Sequence, residues 1–93
     1  MTPKDHLKRA VETFEERGKV YGDSYAKAGK IMAAFFPDGL DLRTEADFSR
    51  YQTLQLCIMK LNRYTERLPD GGHKDSAHDL IVYAAILEHK TEE

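Results

Sequence analysis

Three clusters of helix-breaking residues decide what this chain can build. Gly18 with Val20-Tyr21-Gly22-Asp23-Ser24, then Pro37-Asp38-Gly39, then Leu68-Pro69-Asp70-Gly71-Gly72 cut 93 residues into four pieces of helical length. Thr2-Pro3 reads as an N-cap and first helical position, opening a helix from Lys4 to about Arg17. Its apolar residues Leu7, Ala10, Val11 and Phe14 fall three and four apart, one stripe of a 3.6-residue period. A second helix is expected from about Tyr25 to Phe36, with Asp23 or Ser24 as its cap. Thr44-Glu45-Ala46-Asp47 has the form of a capping box with aspartate for the usual glutamate. It opens a long helix to about Arg67, roughly 33 Å at 1.5 Å per residue. The last helix is expected from near Asp75 to about Lys90. No segment alternates with period two between hairpin turns, so no sheet is predicted. The expected architecture is all-α: a single four-helix bundle-like domain over residues 1–93.

Helices three and four carry a second message. Leu54, Leu56, Cys57, Ile58 and Met59 point to nearly every side of the third, and Leu80 to Leu87 make the fourth apolar all round. A helix apolar on every face is buried on every face, and 93 residues cannot cover two such helices. The expectation is therefore a homo-oligomer, a dimer or higher, assembled through helices three and four. A monomer whose groove takes a ligand is the alternative.

Composition sets outer bounds. Charged residues are 32% and hydrophobic residues 41%, which is globular in character. The net charge of −2 offers no general attraction for duplex nucleic acid. The lone Cys57 forms no internal disulfide, and its apolar setting reads as core. The run Leu80–Leu87 is far shorter than the ~20 residues of a membrane span. The start of the chain has no signal-like apolar stretch, so a cytoplasmic location is expected.

Charge is unevenly distributed. From Arg50 to Arg67 there are four cations (Arg50, Lys60, Arg63, Arg67) against one acid, Glu66. Lys60, Arg63 and Arg67 at i, i+3 and i+7 share one helix face. An ammonium and two guanidinium forks suit phosphate oxygens. They equally suit a salt-bridge network with Asp75 and Asp79 of the next helix. Those two acids, four apart, can hold Mg²⁺ or cap their own helix. Glu12, Glu15 and Glu16 are the other acid cluster, and they read as a solvated face or as added metal ligands. Tyr21 and Ser24 flank a glycine turn that reads either as a plain helix–turn–helix corner with a buried tyrosine or as a site where free amides and an aromatic ring would receive an anion and a base. Gly72, His73 and Lys74 form a second loop able to present amides and donors. His6, His78 and His89 read as surface positions, and no spacing pairs a nucleophile with His73.

Three stretches, Arg17-Gly18-Lys19-Val20-Tyr21-Gly22-Asp23-Ser24, Lys60-Leu61-Asn62-Arg63 and Gly71-Gly72-His73-Lys74-Asp75-Ser76-Ala77-His78-Asp79-Leu80-Ile81-Val82-Tyr83-Ala84, together carry a resemblance. The chain resembles, over about residues 14–87, the small helical phage and bacterial proteins grouped as nucleotide-modification-associated domains. These look distantly similar to the all-α nucleotide pyrophosphohydrolases of the MazG type, which hold Mg²⁺ with two acidic helix motifs. The resemblance implies that Asp75 and Asp79 match the second of those motifs. The first motif, two glutamates three apart, is replaced here by Lys60 and Arg63, which favours direct contact with phosphate over metal-assisted hydrolysis. The implied function is a phage-type binder of a nucleotide or cyclic nucleotide, used to sequester a nucleotide signal of host defence. A Mg²⁺-dependent pyrophosphohydrolase and a non-catalytic interaction module are the alternatives.

Overall fold

The structure, a computed structural model, describes residues 1–21 and 24–92, the side chains of residues 20, 21, 24 and 25 excepted. Four α-helices follow one another: α1 (Pro3–Tyr21), α2 (Ser24–Phe35), α3 (Glu45–Glu66) and α4 (Lys74–Thr91). A short 3-10 turn, Leu68–Asp70, joins the last two. No strand occurs among the described residues, so the all-α class is met.

Local chemistry explains most of the boundaries. Thr44 caps α3 as its sequence announces: its hydroxyl accepts the Asp47 N–H at 3.1 Å, and the Asp47 carboxylate accepts the Thr44 N–H at 3.1 Å. Thr2 and Asp5 make the same reciprocal pair before α1. At the other end of α2, Gly39 takes a positive φ of 82° and donates to the Phe36 carbonyl, which turns the chain after Pro37. One boundary differs from expectation. Gly18 does not end α1, which continues to Tyr21. A single glycine costs a helix only about 1 kcal/mol relative to alanine, too weak a brake when the flanking residues favour helix.

The cap of α3 titrates. N–H groups of Arg43 and Thr44 and the Thr44 hydroxyl hold the Asp47 carboxyl below its ordinary value of 3.8. A lowered acid contributes stability fully above its ordinary pKa and loses it as pH falls through the lowered value. Helix content followed by far-ultraviolet circular dichroism should therefore fall below about pH 4, and Asp47→Asn should flatten that acid limb.

Packing centres on an antiparallel α3–α4 hairpin. Thr53, Cys57 and Ser76 are buried along its seam, and Ile58 and Asn62 complete the buried set among the described residues. Lys90 donates to the Thr53 hydroxyl at 2.7 Å and to the Ser49 carbonyl at 3.2 Å. Lys60 meets Asp79 midway, and Gly72 lies against the Tyr64 ring near the connection. Burial pushes the Cys57 thiol above its ordinary pKa, which keeps it protonated and inert at neutral pH. α2 runs antiparallel to α3, held by the Lys27–Glu66 ion pair at one end and a Phe36–Tyr51 edge contact, 6.3 Å between centroids, at the other.

Among the described residues the closest packing is between α3 and α4 and between α2 and α3. Every residue from Pro3 to Lys19 of α1 is exposed. α3 packs against α4 on one side and α2 on another, yet Met59, Leu61, Ile81, Val82 and Ile86 still meet solvent. The radius of gyration is 16.2 Å, against about 12 Å for a compact chain of this length.

Candidate functional site

α2 and α3 line an open hollow of about 440 Å³. Its α2 wall is Ala28, Ile31 and Met32; its α3 wall adds Leu56, Ile58 and Met59. Onto this apolar lining project three carboxamides, Gln52, Gln55 and Asn62, and the guanidinium-bearing Arg63. These positions recur three and four apart, so one strip of α3 faces α2. Each carboxamide carries both donors and an acceptor, and arginine carries five donors in a planar fork. The arrangement suits a flat, partly apolar ligand with a polar edge and an anionic group.

Arg63 is therefore the one member of the expected cation trio that lines the hollow. Lys60 turns the other way: its ammonium lies 3.1 Å from Asp79 Oδ2 across the α3–α4 seam, and its side chain is only 12% exposed. Arg67 sits at the C-terminus of α3, with Nε 3.8 Å from Asp70 Oδ2. The shared helix face inferred from spacing is thus split among three destinations. The reason is the hairpin itself, since α4 covers one edge of that face and α2 the other.

The loop before α4 is also committed internally. Gly71 donates to the Leu68 carbonyl at 3.1 Å and Gly72 to the Arg67 carbonyl at 2.8 Å. These N–H groups close the turn instead of forming the anion cradle expected from the sequence. His73 flanks the helix start, its Nδ1 2.6 Å from the hydroxyl of Ser76, which is 1% exposed. Lys74 opens α4 and is exposed. Tyr21 ends α1 and Ser24 begins α2 as backbone, while their side chains, with Gly22 and Asp23, lie outside the described residues.

The Mg²⁺ reading can be tested on its donors. Asp75 is exposed one turn from Asp79, and Asp79 is occupied by the Lys60 ammonium. Among the described residues no three His, Cys, Asp or Glu side chains come together to hold a metal, so Glu12, Glu15 and Glu16 do not join them. This donor set does not fit Mg²⁺, which wants carboxylate oxygens free of competing cations.

The carboxamides were not singled out by sequence reasoning. The signal that finds them is their own periodicity, Gln52, Gln55, Asn62, on a helix otherwise read for its charges. No helix among the described residues is long and apolar enough to cross a membrane. Compared with known proteins, the chain matches no family model, no curated protein and no solved structure.

Proposed function

We propose that the chain is a small binding protein for a phosphate-bearing nucleotide or cyclic nucleotide, working as a homo-oligomer built in part through the outer faces of α3 and α4. One observation carries the reading: a hollow between α2 and α3 that combines an apolar lining, three carboxamides and Arg63. The lining accepts a base by its face, the carboxamides match the donor and acceptor pattern of a base edge, and the guanidinium forks onto phosphate. The exposed Leu61, Ile81 and Val82 supply apolar surface for the subunit contact. The resemblance to phage nucleotide-modification-associated proteins supports the same class, with sequestration of a defence nucleotide as its use inside a bacterial host.

Titration calorimetry with a panel of nucleotides and cyclic nucleotides tests it. At least one should bind with about micromolar affinity. Arg63→Ala should weaken that binding about tenfold, the loss of one charge-assisted contact. No heat from any compound, or an Arg63→Ala variant that binds as tightly as the parent, would refute the proposal.

A further inference from the structure

The charge count of the α2–α3 hollow narrows its ligand, a step that rests on the nucleotide role proposed above. Among the described residues that line it, Arg63 alone is charged; Gln52, Gln55 and Asn62 are neutral and the rest is apolar. Neighbouring cations of α3 are matched elsewhere, Lys60 by Asp79 and Arg67 by Asp70. The undescribed side chains, residues 20–25 and 93, include no lysine, arginine or histidine.

An ion pair stands at the end of the hollow. Glu66 follows Asn62 and Arg63 by one turn on α3, and Lys27 directly precedes Ala28 on α2. The pair ties the two walls together, with the Glu66 side chain 18% exposed and that of Lys27 49%. Drawing Lys27 off to a ligand would strand a poorly hydrated carboxylate, which is strongly unfavourable. The pair therefore stays closed and adds no net charge. The hollow offers one positive charge.

We infer that this hollow takes a phosphodiester in preference to a terminal phosphate, and that Glu66 sets the preference. A diester carries one negative charge, as each linkage of a nucleic-acid strand does. A terminal phosphate carries about −1.5 to −2 at pH 7. Arg63 balances the first; the second leaves negative charge in excess against apolar walls, one turn from the Glu66 carboxylate. Within the nucleotide class, cyclic nucleotides are thus the favoured ligands.

Titration calorimetry with the 5′-monophosphates of adenosine, guanosine, cytidine and uridine, each beside its methyl ester, tests this without any substitution. Methylation removes one charge and keeps base, sugar and phosphate position. The best-bound ester should exceed its parent about tenfold in affinity, and the 3′,5′-cyclic form should share the advantage. Glu66→Gln, which releases Lys27, should raise monophosphate affinity about tenfold and leave the ester within about threefold. Circular dichroism checks that the variant folds. Monophosphates that bind as tightly as their esters would overturn the inference while leaving nucleotide binding intact. A folded Glu66→Gln variant that keeps the wild-type preference would overturn the role of Glu66. No heat from any of these compounds would overturn both the inference and the nucleotide role beneath it.

Discussion

Gly72→Ala should destabilise the protein by about 2–4 kcal/mol, while the neighbouring Gly71→Ala should cost only about 1–2. Both glycines hold positive φ, 96° and 95°, so both substitutions meet the same backbone strain. They differ in surroundings. A Cβ at Gly71 meets nothing within 4 Å, but one at Gly72 would lie 2.5 Å from the Tyr64 ring. That ring must move, and it closes the end of the α3–α4 hairpin on which the fold depends. Denaturant midpoints for the two alanine variants measure the difference. Repeating the pair in a Tyr64→Leu background should shrink it, because the obstructing ring is gone. Equal tolerance of alanine at both positions would show that the close approach is unimportant.

The Lys60–Asp79 pair should respond asymmetrically. Asp79→Asn leaves an ammonium that is 12% exposed without its counter-charge. A fully buried pair broken in this way loses about 3–5 kcal/mol. Asp79 is 42% exposed, so water moderates the loss to about 1–3 kcal/mol. Lys60→Met keeps the volume of the stem in the seam and leaves behind a carboxylate that water can hydrate, so its cost should stay below about 1 kcal/mol. Chemical unfolding of both variants checks the order, and equal losses would contradict it. The methionine variant has a further use. Lost nucleotide affinity at unchanged stability would mean that the ligand draws Lys60 away from Asp79.

What could be read from the sequence was mostly local. Thr44 and Asp47 spell out a capping box because both partners lie within one turn. Pro37 and Gly39 stop α2, and Pro69 with Gly71 and Gly72 stops α3, because their φ restrictions act at the residue itself. Gly18 misled because its penalty is small enough for its neighbours to outweigh. The destinations of Lys60, Arg63 and Arg67 were not legible. Helical spacing says which residues share a face, and the register between α3 and α4 says what that face touches. That register is set by Thr53 against Lys90 and Lys60 against Asp79, pairs nearly forty and twenty residues apart. The α2–α3 hollow was hidden for the same reason, since its carboxamides gain meaning only once Ile31 and Met32 lie opposite them. The apolar surplus on α3 and α4 was legible as surplus, and much of it stands in solvent.

The short connection between α3 and α4 has a kinetic consequence. Closing a small loop sacrifices little chain entropy, so this hairpin is placed to collapse first, as a nucleus of near-neighbour contacts. α2, tied to α3 by the Lys27–Glu66 pair at one end and the Phe36–Tyr51 contact at the other, then docks on a surface that is already ordered, so its arrival should be the later and slower step.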